Sequence, residues 1–170
     1  MKRIALVVAL SAALAAAAGA YALTRATAED ASTTLISYME VPSVSSLSAF
    51  GQFRARIDDA RQTITFQMRW SGLSSQTSQA HIHIGQRSVN GGVVAFLCGG
   101  STKPACPAGN SGSIQGTITP ADITGNAAAQ GITAGEWGEF VAAMRAGVTY
   151  ANIHSPTFPG GEIRGQIVTR

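Results

Sequence analysis

The sequence predicts an all-β protein, either an antiparallel β-sandwich or a Greek-key-like barrel, with one short covering helix. Apolar and polar residues alternate in several short runs, most clearly from Thr63 to Trp70, and a period of two is typical of strands with one buried face. The composition agrees, because 19 glycines and only 12% charged residues are typical of turn-rich β proteins.

The N-terminal part of the domain is predicted to contain three strands. A flexible lead-in from Glu29 to Thr34 precedes a first strand from Leu35 to Val41, which Pro42 ends. The run from Phe53 to Ile57 then pairs with the run from Ile64 to Trp70 as a hairpin, with its apolar residues in the core and its polar face in water.

The middle of the chain is predicted to continue as strands. Ala80 to Gly85 is followed by an Asn90-Gly91 turn and by the apolar strand Val93 to Leu97. Gly112 to Thr119 is a further strand, with a bulge at its glycine as an open alternative, and Thr119 to Asp122 is suited to a single helical turn.

One α-helix is predicted to begin at Thr133, because Thr133 and Glu136 match a capping box, and Gly147 is placed to end it. Its apolar stripe is expected to cover an open end of the sheets. The stripe consists of Trp137, Phe140, Val141 and Met144.

The segment 148–168 is predicted to form the closing β-hairpin, with a Pro/Gly turn between its strands. Ile163 and Ile167 point to the core, and the opposite face is rich in hydrogen-bonding groups. The residues expected to form a structural polar cluster on that face are Tyr150, Asn152, Glu162, Arg164 and Gln166.

Four motifs occur in a fixed order along the chain. They are Ala80-His-Ile-His-Ile-Gly85, Asn90-Gly-Gly-Val-Val94, Tyr150-Ala-Asn-Ile-His154 and Pro159-Gly-Gly-Glu-Ile-Arg-Gly-Gln166. Together they resemble the CHRD domain, the module named after chordin. The resemblance implies an extracellular β-sandwich-like domain over residues 47–168, preceded by a lead-in and first strand at 29–46, with no general catalytic activity. It does not imply growth-factor binding, which in chordin belongs to additional cysteine-rich modules.

Residues 1–28 are predicted to be a signal peptide, with a positive start followed by an uncharged run rich in alanine. Small-residue pairs place the cut between residues 20 and 28. The alternative is an uncleaved membrane anchor, and contact with a membrane is expected only in that case. The protein is therefore expected to be secreted, periplasmic or on the cell surface.

The charge of the chain does not indicate a nucleic-acid partner. The sequence has 12 Lys plus Arg against 9 Asp plus Glu, but three of the basic residues precede Ala28. A cut at Ala28 leaves nine of each sign, so the remainder has no basic excess with which to bind a polyanion. The expected partner is an extracytoplasmic protein or ligand.

The two cysteines, Cys98 and Cys106, are predicted to form a disulfide that closes one short surface loop in an oxidising compartment. A redox pair or a pair of metal ligands is the alternative. Their spacing is not that of a C-x-x-C motif.

The three histidines of the chain raise two hypotheses. His81 and His83 lie two residues apart, so both imidazoles project from one strand face, and His154 has the same register in the closing hairpin. If the rings only satisfy neighbouring polar groups, the protein is a non-enzymatic binding or structural module and needs no cofactor. If the rings converge, they suit copper or zinc, and the protein is then a metal-binding protein or a small metal-dependent redox enzyme.

The sequence lacks the common catalytic motifs. It contains no nucleophile elbow, phosphate-binding loop, metalloprotease helix or dinucleotide-binding loop. We therefore expect a protein that is not an enzyme, with a metal-dependent activity as the alternative.

Overall fold

A computed structural model describes residues 29–37 and 46–169 of the chain. Within them the chain forms nine strands, one α-helix and two short 3-10 turns. The elements are β1 (Glu29–Ser37), β2 (Phe50–Asp58), β3 (Thr63–Ser71), β4 (Gln79–Ile84), β5 (Val93–Cys98), β6 (Gly112–Ile118), α1 (Trp137–Arg145), β7 (Thr149–His154), β8 (Ile163–Gln166) and β9 (Val168–Thr169). The predicted signal peptide at 1–28 lies outside the described residues.

The strands form an antiparallel β-sandwich, which confirms the predicted fold class. The order of hydrogen-bonded neighbours is β5-β4-β7-β8-β1-β2-β3-β6, and β9 pairs with β1. One half of the sandwich therefore consists of β5, β4, β7 and β8, and the other of β1, β2, β3 and β6. The two halves are joined where Ile36 and Ser37 of β1 pair with Arg164 and Ile163 of β8. Their buried side chains form one continuous core.

The hairpin of β2 and β3 has the predicted pattern of one buried and one wet face. Phe53 and Ile57 on β2 are buried, as are Ile64 and Met68 on β3, while the residues between them are mostly exposed. β6 pairs with β3 without a break in register, so the glycine bulge left open by the sequence does not form. Gly116 instead lies directly beneath the ring of Phe66.

β1 begins at Glu29, six residues earlier than the sequence predicted. The expected flexible lead-in from Glu29 to Thr34 is wrong, because that segment pairs with β2 over its whole length. Ala31 is fully buried there. The predicted end of this strand, at residues 38–41, lies outside the described residues.

α1 begins at Trp137, not at the predicted Thr133. Glu136 accepts hydrogen bonds from the backbone N–H and the hydroxyl of Thr133, so the two capping residues do meet. Gly135 lies between them with a φ of +78°, a left-handed conformation that interrupts helical geometry. The motif therefore forms a separate turn before the helix. The structure confirms the predicted end of α1 at Gly147 and the burial of Trp137. It also confirms the single helical turn at Pro120–Asp122.

Cys98 and Cys106 form the predicted disulfide at the end of β5, with an S–S distance of 2.00 Å. Such a bond persists in an oxidising compartment. Among the described residues, no helix has the length and apolar character needed to span a membrane.

Candidate metal centre

The candidate site lies on the face of β4, β7 and β8 that points away from the shared core. Cross-strand neighbours in a sheet share a face, and His81 is paired with Asn152, and His83 with Tyr150. β8 continues this face, because Asn152 is paired with Arg164 and Tyr150 with Gln166. The histidines of β4 and the predicted polar cluster therefore form one continuous polar surface.

This polar surface is buried. Tyr150, Asn152 and Arg164 are at most 2% exposed. On the opposite face of the same strands, Ile82 and Ile163 are equally buried in the core. The three strands are therefore covered on both sides, so their polar groups need partners within the protein.

The loop between β4 and β5, residues 85–92, supplies many of those partners. Arg164 donates to the side-chain oxygen of Asn90 and to two backbone carbonyls of the loop. Gly91 donates its backbone N–H to the hydroxyl of Tyr150. A Cβ at Gly91 would lie 1.6 Å from the carbonyl oxygen of Ile84, so only glycine allows the loop to lie this close to the strand.

His81, His83 and His154, which we call the three-histidine cluster, lie together on this surface. They are between 4% and 8% exposed. One nitrogen from each ring can be chosen so that all three nitrogens lie within 4.8 Å of one another. The sequence left open whether the three histidines converge, and the structure brings them together.

The other nitrogen of each ring faces an oxygen that can only accept a hydrogen bond. His83 Nδ1 lies 2.9 Å from the carbonyl oxygen of Gly91, and His154 Nδ1 lies 2.9 Å from that of Pro159. His81 Nε2 lies 2.9 Å from the side-chain oxygen of Gln79. Each neutral ring therefore donates its single N–H outward, away from the centre of the cluster.

The inward nitrogens are then unprotonated acceptors that face one another. His81 Nδ1 and His83 Nε2 are 3.3 Å apart, and with both protons on the outer nitrogens no hydrogen bond joins them. His154 Nε2 is buried and has no hydrogen-bond partner. On the same face, the Oδ1 of Asn152 is also buried without a partner, and Asn152 is paired with His81 across the strands. The nitrogen lone pairs that converge in the cluster repel one another unless a cation lies between them.

The electrostatics of the cluster keep the rings neutral. Burial, together with the neighbouring His154 and His83, lowers the pKa of His81 to about 2. Burial also lowers the pKa of His83 to about 4, although its hydrogen bond to Gly91 acts in the opposite direction. The pKa of His154 is lowered by burial as well. Neutral imidazole is the form that binds a metal ion.

Aromatic rings enclose two sides of the cluster. The ring of Phe96 contacts His81 edge-on at a centroid distance of 4.6 Å. The ring of Tyr150 lies parallel to His83, with centroids 4.8 Å apart. The guanidinium carbon of Arg164 is 3.4 Å from the centroid of Tyr150. Because β7 lies between β4 and β8, Tyr150 separates the Arg164 cation from His83.

The remaining members of the predicted polar cluster have structural partners. Gln166 donates to the carbonyl oxygens of Gly85 and Gly147, so it ties β8 to the ends of β4 and α1. The carboxylate of Glu162 accepts hydrogen bonds from the backbone and hydroxyl of Ser74 and from the hydroxyl of Ser155. Ser74 lies 88 residues from Glu162 along the chain, so Glu162 connects two distant loops.

A comparison with protein families matches residues 31–167 to the model described as the CHRD domain. The matched segment contains the three-histidine cluster, the disulfide and the closing hairpin. Neither the curated proteins nor the solved structures contain a match to this chain.

Proposed function

This chain belongs to the CHRD domain family, and we propose that it is an exported, extracytoplasmic module that binds one transition-metal ion, copper or zinc, through His81, His83 and His154. The observation that carries the proposal is the direction of the three rings. Each turns one nitrogen to a fixed oxygen and leaves the other, unprotonated, facing its two neighbours.

This arrangement is the one that metal-binding histidines use. Such histidines donate the second ring N–H to a carbonyl or carboxylate, which fixes the tautomer and the orientation of the ring. A purely structural histidine in a buried network would instead be expected to use both of its nitrogens, because an unpaired buried nitrogen costs about 1–3 kcal/mol. In the cluster His154 Nε2 has no partner, and when His81 donates its N–H to Gln79, the 3.3 Å contact between His81 and His83 joins two acceptors.

The separations also suit an ion. Two nitrogens bound to zinc or copper at about 2.0–2.1 Å in tetrahedral geometry lie roughly 3.3 Å apart, which is the 3.3 Å between His81 Nδ1 and His83 Nε2. The nitrogens of the cluster lie within 4.8 Å of one another, so the most distant pair would have to approach by roughly 1.5 Å to reach the tetrahedral separation. Rotations of two rings can share that movement.

The burial of the cluster favours binding over catalysis. The rings are at most 8% exposed, and Phe96 and Tyr150 contact two of them directly. A catalytic metal keeps an open position that a substrate can reach. The proposal is therefore of a binding module rather than a metal-dependent enzyme.

The experiment that tests this function is a metal analysis of protein that carries no His-tag. After dialysis against copper or zinc and removal of free metal, mass spectrometry should find one ion per chain and a raised melting temperature. The variant with His81, His83 and His154 all changed to Gln should retain less than about a tenth of an equivalent. As a matched control, Gln115→Ala alters an exposed strand residue and should bind as the natural protein does. A natural protein that keeps no metal and whose melting temperature is unchanged by both ions would refute the proposal.

A further inference from the structure

The charge of the donor set distinguishes between possible ions. Among the described residues, the group that can hold an ion contains three histidines and no carboxylate or thiolate. All three donors are neutral, so a bound ion keeps its full charge in a site with only 4–8% exposure. The cost of burying a charge grows steeply with its magnitude. A monovalent ion is therefore favoured over a divalent one.

A buried cation beside the cluster adds to this preference. Arg164 is 2% exposed and lies on the face of Tyr150, whose ring is stacked on His83. The guanidinium carbon is 3.4 Å from the centroid of the Tyr150 ring, and that centroid is 4.8 Å from the His83 ring, so the positive charge lies close to the cluster. Coulomb repulsion from the same cation is twice as large for a divalent ion as for a monovalent ion at the same position.

The number of donors points in the same direction. Zinc in closed protein sites takes four ligands, whereas the group of residues that can hold an ion here consists of three histidines. The Oδ1 of Asn152, on the same face and without a partner, is also neutral, so counting it as a donor leaves the charge argument unchanged. Cu(I) has a filled d shell and is stable with three ligands, and imidazole is a ligand that copper accepts.

We infer that the three-histidine cluster selects Cu(I) over Cu(II) and Zn(II), because three neutral donors in a buried site beside Arg164 disfavour a divalent ion. This inference rests on the metal binding proposed above. It adds the oxidation state of the bound metal and gives Arg164 a role in selectivity.

The test measures the natural full-length protein, free of any tag, against each ion separately. Cu(I) is titrated without oxygen in competition with bicinchoninate, and Cu(II) and Zn(II) are titrated in competition with chelators of known affinity. We expect Cu(I) to bind at least about 100-fold more tightly than Cu(II). Because a tenfold ratio is 59 mV for one electron, the midpoint potential of bound copper should lie about 120 mV above that of the free couple.

The outcomes separate this inference from the proposed function. Binding of Cu(II) or Zn(II) as tightly as Cu(I) overturns the inference and leaves the metal-binding function standing. Failure of all three ions to bind overturns both.

Variants of Arg164 test its role in selectivity. Arg164→Met should lower the midpoint potential and reduce the preference for Cu(I) several-fold, whereas Arg164→Lys, which keeps the charge, should retain most of it. Arg54→Met is the matched control, because it removes an exposed arginine from the other half of the sandwich and should change neither value. An Arg164→Lys variant that loses the preference as fully as Arg164→Met would overturn the role of the charge. If Arg164→Met does not fold, Arg164→Gln takes its place as the variant without the charge.

Discussion

At the scale of the single residue, the three histidines are held neutral by the protein, and this has a consequence for stability. Burial is the largest cause of the lowered pKa at each ring. In the unfolded chain each imidazole returns to a pKa of about 6.5. Below that pH the unfolded chain binds protons that the folded protein does not, so acid favours unfolding.

We predict that the metal-free protein loses stability as the pH falls from 7.5 to 5. The folded pKa is about 4 for His83 and about 2 for His81. The stabilisation is therefore fully present above the unfolded pKa. Between pH 7.5 and 5, each of these two histidines should lower the free energy of unfolding by about 2 kcal/mol. Urea unfolding of chelator-treated protein at the two pH values measures the change. The variant with all three histidines changed to Gln should show a much flatter dependence, and an equal dependence in both proteins would contradict the prediction.

The sequence could predict only part of this site. The spacing of His81 and His83 places both rings on one strand face, and the register of His154 adds the third. The outward hydrogen bonds could not be foreseen, because Gly91 and Pro159 contribute backbone carbonyls and any residue type carries those. No sequence pattern indicates that Ser74 binds Glu162 either, since the two residues are 88 positions apart along the chain.

At the scale of the element, α1 shows how local signals succeed and fail. Its apolar stripe identified the buried face, and Trp137 and Phe140 are buried as predicted. The predicted start of α1, at Thr133, was wrong because Gly135 adopts a left-handed φ inside the capping motif. A sequence pattern shows which side chains can meet, but it does not show the backbone conformation of a glycine between them.

We predict that Trp137→Ala lowers the free energy of unfolding by about 3–5 kcal/mol, because it removes a large side chain that is 7% exposed and leaves a cavity under the helix. Chemical denaturation measures the loss. Gly138→Ala, at the next position of the same helix, is a suitable control: it adds a methyl group to open space and should leave the stability unchanged or slightly raised. A loss below about 1 kcal/mol at Trp137 would show that the helix does not depend on this anchor.

At the scale of the whole molecule, β1 holds the sandwich together. It pairs with β2 along its length, with β8 at one end and with β9 at the other. The order of the strands therefore places β1 between the two halves. The alternation of Phe53 to Ile57 made β2 easy to predict. The first six residues of β1, Glu29 to Thr34, are small or polar, and their role depends on pairing with strands distant in the sequence.

We predict that a chain beginning at residue 46 does not fold cooperatively, although it keeps the three-histidine cluster and the disulfide. Without β1 the unpaired backbone groups of β2 and β8 and the core beside Ala31 face water, and the two halves lose their hydrogen-bonded connection. Thermal unfolding of this chain should be broad, and its apolar core should bind a hydrophobic dye. A chain beginning at Glu29 should instead unfold sharply, at the same temperature as the natural protein. A sharp transition in the shorter chain, at an unchanged temperature, would mean that the half carrying the histidines is stable without β1.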